Sequence, residues 1–163
     1  MTPEIWQYTL KVLDRKALSR KNLTSKLSRA GFDADDVEEA VARAVELGCC
    51  NDNALASWRA ASCAANIYGM RRIKEKLRTV NVSPEAFAAA LSEQADGEEE
   101  RALNACRFKL RCLMRETDMR KKREKVIRFL LGRGFSMAAS VKAWECTKNS
   151  DDTEQDLYDP QIM

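Results

Sequence analysis

The chain has 163 residues, with 28 lysines and arginines, 25 aspartates and glutamates and no histidine, and its formal net charge is +3. The lack of histidine excludes Ser-His and Cys-His nucleophiles, and the six cysteines contain no C-x-x-C pair, which leaves no zinc-binding set. Glycine, proline and aromatic residues are scarce, whereas alanine, leucine, lysine, arginine and glutamate dominate, a composition that favours helix throughout.

Residues 1–50 are predicted to form a first repeat of three helices. Ser19 is the predicted N-cap of the second helix, and Gly31 is predicted to end it because glycine readily adopts the left-handed turn at a helix C-terminus. Asp33 is the predicted cap of the third helix, which Gly48 ends. The predicted inward positions are Ile5, Tyr8 or Thr9, Val12, Leu13, Leu23, Leu27, Ala30, Val37, Val41 and Val45.

Residues 51–95 are predicted to repeat this plan. Asn51 or Asp52 starts the fourth helix, and a fifth begins near Gly69. Ser83-Pro84 predicts the start of the sixth helix, because serine is a good N-cap and proline fits the first helical position. The predicted inward positions are Leu55, Trp58, Ala61, Ile73, Leu77, Val80, Phe87, Ala90 and Leu91.

Residues 96–147 form the third predicted repeat. It has a longer helix, a second helix capped by Asp118, and a turn from Gly132 to Ser136 that leads into the last helix. Residues 148–163 are polar and acidic, and we expect a flexible tail there. The predicted inward positions are Leu103, Cys106, Leu110, Leu113, Val126, Leu130, Val141 and Trp144.

The three repeats share a pattern of apolar residues. Leu23 and Leu27 align with Ile73 and Leu77 fifty positions later, and a third copy places Val126 and Leu130 at the same positions. A period of about fifty residues is typical of stacked supersecondary units. We therefore predict an all-α fold of three tandem three-helix repeats, forming an elongated, curved helical array with a radius of gyration above the roughly 15 Å of a compact globule.

No catalytic constellation is recognisable in the chain. The acidic run from Asp33 to Glu39 is explained by the preference for negative charge at a helix N-terminus, and no phosphate-binding glycine loop is present. We expect no enzyme, no metal and no cofactor. The start M-T-P-E-I-W-Q-Y is unlike a signal peptide, and no stretch has the apolar length of a membrane span. We expect a cytoplasmic protein with reduced, buried thiols.

Basic charge is concentrated in one part of the chain and on particular helix faces. From Arg101 to Arg133 there are twelve basic and three acidic residues. Arg71, Lys74 and Arg78 form a stripe about 200° from the inward face of their helix at 100° per residue. The candidate contacts to a polyanion or an acidic protein surface are Lys21, Arg71, Arg72, Lys74, Arg78, Lys121, Lys125 and Arg128. The alternative interpretation is a set of solvated helix faces.

Two further features allow two interpretations each. Trp6, Trp58 and Trp144 are possible stacking platforms for nucleobases, but each falls on the apolar stripe of its helix, which favours core packing. Cys49 and Cys50 are a possible redox switch, but nothing nearby in sequence lowers a thiol pKa, and packing at a helix end is the favoured interpretation.

Three blocks occur in an order that resembles a known family. They are S-R-K-N-L-T-S-K-L-S-R-A-G-F-D near the start, E-L-G-C-C-N-D-N-A-L-A followed by Y-G-M-R-R-I-K-E-K-L, and R-F-L-L-G-R-G-F-S-M…W-E near the end. Together they resemble the RecX family of regulators of the RecA recombinase, over about residues 5–147. In this chain Cys49-Cys50 replaces the family's tyrosine-leucine pair, Asn51 replaces its first aspartate, and Met70 replaces the proline after Tyr68-Gly69.

The resemblance implies a helical protein that lies in the groove of the RecA filament on single-stranded DNA. Family members lower ATP hydrolysis, strand exchange and the co-protease activity of the SOS response. The expected partners are thus the RecA filament and single-stranded DNA, met directly or through RecA, with a monomeric protein and no membrane. The alternatives are a module that binds nucleic acid directly through its basic faces, and a helical scaffold for some other partner.

Overall fold

The computed structural model describes the backbone of residues 1–155 and the side chains of residues 1–148. Residues 1–155 form nine α-helices and no strand, with three helices in each of three successive stretches. The helices are α1 (Pro3–Arg15), α2 (Arg20–Arg29), α3 (Ala34–Glu46), α4 (Asp52–Ala65), α5 (Met70–Arg78), α6 (Pro84–Ala95), α7 (Glu98–Cys112), α8 (Met119–Gly132) and α9 (Met137–Gln155). The predicted all-α helical repeat fold is confirmed.

The predicted acidic tail, residues 148–163, begins inside α9, because that helix continues to Gln155. The remaining part of the predicted tail, residues 156–163, lies outside the described residues. Across the described part of the chain, no helix has the combination of length and apolar content that crossing a bilayer requires.

Side chains satisfy the free N–H groups at several helix starts, as the sequence predicts. Ser19 Oγ accepts a hydrogen bond from the N–H of Asn22 at 3.3 Å, and Asp118 Oδ1 accepts one from the N–H of Arg120 at 2.9 Å. Before α6, Ser83 Oγ accepts from the N–H of Ala86 at 3.3 Å. Such caps replace the hydrogen bonds that the first turn of a helix lacks, and each contributes about 1 kcal/mol.

The repeat is also visible in the backbone. Gly31 and Gly134 end α2 and α8 with the same left-handed φ of +89°, and Asn81, which occupies the equivalent position after α5, has φ +54°. Asparagine is one of the few residues other than glycine that tolerates this conformation. The second repeat therefore keeps the turn although it lacks the glycine.

The aligned apolar positions are the most buried in the molecule. Leu23, Leu27, Ile73, Leu77, Val126 and Leu130 are all 0 to 1% exposed. One cluster gathers Ile5, Val12, Val37 and smaller residues around Leu23 and Leu27, and another gathers Phe135, Trp144 and residues of α7 around Val126 and Leu130. Truncating such a residue to alanine typically costs 2–5 kcal/mol, on the order of half of a domain's stability.

Residue contacts divide the chain into two compact units. The first unit comprises Met1–Ser62 and Lys74–Glu93, and the second comprises Cys63–Ile73 and the chain from Gln94 onward. The predicted repeat boundaries, 1–50, 51–95 and 96–147, stay a prediction, as does the elongated, curved shape.

In the first unit a buried carboxylate joins three helix starts. Asp52 is the first residue of α4 and is 8% exposed. Its Oδ1 accepts from the N–H of Arg20 at 2.9 Å, and its Oδ2 accepts from the N–H of Ser83 at 2.8 Å. Arg20 is the first residue of α2, and Ser83 precedes α6. Because helix N-termini carry unpaired N–H groups and partial positive charge, they stabilise this carboxylate.

In the second unit arginines bind the opposite ends of helices. Arg101 Nη2 donates to the carbonyl of Gln94 at 2.8 Å, near the end of α6, and its Nε donates to that of Tyr68 at 3.3 Å. Arg133 Nη1 donates to the carbonyl of Asn66 at 2.7 Å, directly after α4. Burial lowers the pKa of the Arg101 guanidinium, but carbonyl groups at helix C-termini favour a cation there.

The inward face of α4 differs from the sequence prediction. Ala56, Ala60 and Cys63 are buried, whereas Trp58 is 64% exposed and Ala61 is also exposed. Trp58 lies about 200° around the helix from both Ala56 and Ala60. The prediction of core packing is therefore wrong for Trp58. Leu55 is buried as predicted, but most of the buried face consists of small side chains, and hydrophobicity alone does not identify such a face.

The other predictions for tryptophans and cysteines have mixed outcomes. Trp144 is 6% exposed, as predicted, and Trp6 is half-buried beneath the guanidinium of Arg43. The expectation of buried thiols holds for Cys50, Cys63 and Cys106 and is wrong for the other three cysteines, whose side chains are exposed. Those three are Cys49, Cys112 and Cys146.

Candidate functional site

The eight predicted contact residues all have exposed side chains. They are Lys21 on α2, Arg71, Arg72, Lys74 and Arg78 on α5, and Lys121, Lys125 and Arg128 on α8. Lys21, Lys74 and Arg78 belong to the first compact unit, and the other five belong to the second. A continuous basic track through all of them stays a prediction.

The cations in the second half of α5 face solvent. Ile73 and Leu77 are buried on the opposite side of the helix, so Lys74 and Arg78 point outward, as the 3.6-residue period requires. Among the residues with described side chains, neither Lys74 nor Arg78 has an ion-pair partner. Both charges are therefore available to an incoming anion.

The start of α5 is held by a close backbone crossing. The N–H of Gly69 donates to the carbonyl of Arg133 at 3.0 Å, and that of Arg71 donates to the carbonyl of Gly134 at 3.1 Å. A Cβ on Gly69 would lie 2.3 Å from the backbone nitrogen of Phe135, so no larger residue fits there without movement. The Arg71 side chain also takes part, since Nη2 donates to the carbonyl of Leu131 at 2.7 Å. Arg71 thus has a structural contact that Lys74 and Arg78 lack.

Each predicted cation of α8 has an acidic neighbour. Lys125 Nζ lies 2.5 Å from Glu116 Oε2, and Lys121 Nζ lies 3.8 Å from Asp118 Oδ2. Arg128 Nη2 lies 2.5 Å from Oε1 of Glu124, one turn earlier on the same helix. The hydrogen bond from Lys125 holds the pKa of Glu116 below its ordinary value. A ligand that binds these cations has to compete with the carboxylates.

On α2, Lys21 is the weakest of the candidates. Its side chain is exposed and has no ion-pair partner within the described part of the chain, but Ser25 and Ser28 on the same helix are neutral. The neighbouring Asn22 donates Nδ2 to the carbonyl of Val80 at 3.0 Å, which holds the start of α2 beside the end of α5. The first unit therefore brings Lys21 to the same junction as the end of the α5 stripe.

A basic-edged groove on α8 and α9 is absent from the sequence predictions. It has a volume of about 440 Å³, and Ile127, Leu131 and Met137 supply apolar surface. Arg120, Arg123 and the ion pair of Arg128 with Glu124 line it as well. The signal in the sequence is a second apolar stripe, Ile127 and Leu131, offset by one residue from the buried pair of α8. Ile127 also packs against the core cluster, so the groove lies at the edge of the core.

The candidate site consists of lysine and arginine side chains, which are binding groups. Among the residues with described side chains, no group of three or more cysteines, aspartates or glutamates is arranged to hold a metal ion. Burial raises the pKa of the Cys50 thiol, whose Sγ lies 3.4 Å from the carbonyl oxygen of Leu18. A buried thiol with a raised pKa is a poor nucleophile. The arrangement is suited to binding anions and acidic surfaces.

Comparison with known proteins identifies the family. The model of the RecX first three-helix domain matches residues 6–43, which lie within α1–α3. Regulatory protein RecX of Chlorobaculum tepidum is 33% identical over 133 residues, which cover 78% of each chain. This chain belongs to the RecX family. Regulatory protein RecX of Thermus thermophilus is 32% identical over 145 residues, covering 88% of this chain and 92% of that protein.

The RecX relatives differ in how much of their length this chain matches, but a solved RecX structure has the same fold. The match to regulatory protein RecX of Mycobacteroides abscessus, 36% identical over 96 residues, spans 58% of this chain and about half (47%) of that protein. The crystal structure of RecX from Lactobacillus salivarius superposes with a TM-score of 0.76 at 19% identity, covering 87% of this chain and 93% of that one. At this identity the match shows a shared fold.

The structure gives a physical reason for one RecX landmark, Gly69, and for one departure from the family pattern, Met70. Gly69 follows Tyr68 where the backbone passes Gly134 and Phe135, and only glycine fits. Met70 stands where the family resemblance leads one to expect proline, and its N–H donates to Glu98 Oε1 at 3.0 Å. Proline has no N–H and cannot make this bond. This member of the RecX family thus uses a hydrogen bond at a position where proline would supply rigidity.

Proposed function

We propose that this RecX-family protein binds the RecA filament on single-stranded DNA and inhibits ATP hydrolysis, strand exchange and SOS co-protease activity. It would thereby modulate homologous recombination and DNA repair as a cytoplasmic monomer, by binding and without catalysis. Family membership supports the proposal, since the relatives are named regulatory proteins. The structural observation that carries it is the pair of exposed, unpaired cations Lys74 and Arg78 on α5.

Several modest contacts on one chain can together give tight binding. Exposed cations attract the phosphates of a DNA strand or the acidic groups of a protein surface, and each contact is weak in water. Contacts on one folded chain bind cooperatively through effective concentration, provided that a partner presents matching sites at regular intervals. A helical filament is such a partner. A protein with basic faces on more than one helix can therefore bind it tightly without a deep pocket.

The test is single-stranded-DNA-dependent ATP hydrolysis by RecA, titrated with this protein. We expect inhibition at well below one protein per RecA subunit, and about tenfold more of the Lys74→Ala/Arg78→Ala variant for the same inhibition. The control is Lys11→Ala/Arg29→Ala, which removes the same charge from two exposed positions outside the candidate site. An unchanged rate of hydrolysis at excess protein would contradict the proposal.

A second candidate is direct binding of nucleic acid without RecA, which the same unpaired cations favour. It predicts that log affinity for a single strand falls linearly with log salt concentration, and that each lost phosphate contact reduces the slope by about 0.7. If the protein binds the filament and has negligible affinity for free DNA, the second candidate is rejected and only the first remains. A protein that binds neither partner would be a scaffold for something else.

A further inference from the structure

The exposed indole of Trp58 is the largest apolar side chain that the core does not use. It is 64% exposed on α4, in the first compact unit. The opposite face of that helix is buried, at Ala56, Ala60 and Cys63. Leaving a tryptophan in water gives up a large hydrophobic stabilisation. An exposed aromatic residue that contributes little to the core indicates a binding surface.

Trp58 lines a cleft of about 260 Å³ that lies wholly within the first unit. This volume lies below the roughly 300–1,000 Å³ of pockets that enclose drug-sized ligands, so it suits one planar ring system with an open edge. No carboxylate lines the cleft. The other lining residues are Lys16, Ala17, Leu18, Asn22, Leu55, Arg59, Thr79 and Val80.

Two uncharged polar side chains of the cleft, Asn22 and Thr79, already have hydrogen-bond partners. Asn22 Nδ2 donates to the Val80 carbonyl at 3.0 Å, and Asn22 Oδ1 accepts from Asn81 Nδ2 at 3.3 Å. The Thr79 hydroxyl donates to the carbonyl of Lys76 at 2.7 Å. A peptide would bring backbone N–H and C=O groups that need partners, and these side chains have few to offer. A ligand that binds through a ring face, with its polar edge in water, meets no such penalty.

The charges around the indole are positive. Lys16 and Arg59 line the cleft, and neither has an ion-pair partner among residues 1–148. Two more cations, Lys21 and Arg78, are the chain neighbours of the lining residues Asn22 and Thr79. A single strand of nucleic acid places a phosphate on each side of every base. A ring face bracketed by cations fits this pattern.

We propose that the Trp58 cleft binds one unstacked base of a single-stranded nucleic acid, with the indole stacked on the base and Lys16 and Arg59 at the flanking phosphates. Because the Asn22 amide and the Thr79 hydroxyl already have hydrogen-bond partners and Lys16 and Arg59 bind the phosphates, binding is tolerant of sequence. A duplex is excluded, since its bases are already stacked on both faces. This inference rests on the proposed function in one respect, namely that the protein meets the strand in the RecA filament. Binding of a free single strand needs no RecA.

The experiment measures binding of a fluorescently labelled oligo-dT to the full chain at low salt, without RecA. Trp58→Ala is expected to weaken binding roughly 5- to 150-fold, the range for losing one base–aromatic stack, while Trp58→Phe keeps most of the affinity. Quenching of tryptophan fluorescence is expected in the wild type and is lost in Trp58→Phe. Phe108→Ala is the matched control, because Phe108 is 54% exposed, lies outside the cleft and belongs to the second unit.

The contribution of the two cations is measured separately, through the salt dependence of binding. Lys16→Ala/Arg59→Ala is expected to reduce the slope of log affinity against log salt by about 1.4, for two phosphate contacts on a single strand. Oligo-dT binding by Trp58→Ala that equals the wild type overturns the proposal, as does equal affinity for a duplex of the same length. Fluorescence quenching by polyglutamate in place of oligo-dT would assign the cleft to an acidic peptide.

The outcome is separable from that of the proposed function. If Trp58→Ala no longer binds free oligo-dT and still inhibits RecA ATP hydrolysis, the cleft is a DNA site and the regulatory function stands. If the wild type binds oligo-dT through Trp58 and leaves RecA ATP hydrolysis unchanged, the cleft stands and the regulatory function fails.

Discussion

Helices α5 and α8 carry similar basic stripes in the sequence and differ in the structure. On α8, Lys125 and Arg128 lie 2.5 Å from carboxylate oxygens, whereas Lys74 and Arg78 on α5 have no ion-pair partner among the described side chains. Spacing along a helix therefore predicts where a cation lies on its surface. It does not predict whether the charge is available.

The cations of α8 are paired partly by a residue of the preceding loop and partly by a residue of the helix itself. Glu116, the partner of Lys125, precedes α8 and reaches it because the loop after α7 turns back. Exposed pairs of this kind contribute at most about 1 kcal/mol, but an anionic ligand has to displace the carboxylate before it can use the cation. The unpaired cations of α5 require no such exchange.

The largest effect is expected where α5 begins. Gly69→Ala would place a Cβ 2.3 Å from the backbone nitrogen of Phe135, and the backbone cannot yield without losing the hydrogen bonds of this crossing. We expect a loss of about 3 kcal/mol in the free energy of unfolding, measured by urea denaturation. Gly132→Ala is the control, because a Cβ there meets nothing within 4 Å, and a change beyond about 0.5 kcal/mol would be unexpected. Equal midpoints for wild type and Gly69→Ala would show that the crossing is looser than described.

The binding contribution of the two stripes can be compared directly. We expect Lys74→Ala/Arg78→Ala to weaken co-sedimentation with RecA filaments on single-stranded DNA about tenfold, equivalent to about 1.4 kcal/mol. Lys125→Ala/Arg128→Ala removes the same charge, but from cations that are already paired, so we expect about a twofold effect. If the α8 variant weakened filament binding more than the α5 variant, the cations of α8 would be the more available ones, contrary to the prediction.

Within α5 itself, Arg71 and Lys74 are expected to differ in their effect on stability. Arg71→Ala removes the hydrogen bond to the Leu131 carbonyl and should lower the free energy of unfolding by about 1 kcal/mol. Lys74→Ala touches no such contact and should stay within about 0.5 kcal/mol of the wild type. Thermal unfolding of both variants checks this difference, and equal losses would remove the structural role of Arg71.

The smallest expected effect is the pH dependence of the Glu116–Lys125 pair. Lys125 lowers the pKa of Glu116 below its ordinary value of 4.5, so the pair stabilises the folded state above that pH. The stabilisation is lost as pH falls through the lowered folded-state pKa, because the carboxylate is protonated. The difference in melting temperature between wild type and Glu116→Gln should be constant near neutral pH and vanish in acid. A difference that persists in acid, where Glu116 of the wild type is protonated and uncharged, would indicate another cause.

Much of the candidate site could be predicted, since outward positions on a helix follow from its period. All eight predicted cations are exposed, because each lies opposite or beside buried apolar residues of its own helix. The pairing of Lys125 with Glu116, the anchoring of Arg71 and the groove between α8 and α9 could not be predicted. Each depends on residues far apart in sequence or on the path of a loop, such as Arg71 and Leu131. Glu124 and Arg128, in contrast, stand four residues apart on one helix, a spacing that the sequence shows.

The sequence by itself determined the helices, their caps and the repeated pairs of buried residues, because these depend on neighbours within one or two turns. Ser19 and Asp118 cap their helices, and Leu23 and Leu27 recur as Ile73 and Leu77, through local hydrogen bonding and the 3.6-residue period. Tertiary structure alone decided which face of α4 is buried. The helix is rich in alanine, so hydrophobicity does not distinguish the face of Ala56 and Ala60 from the face of Trp58, and the structure buries the former and leaves Trp58 in solvent.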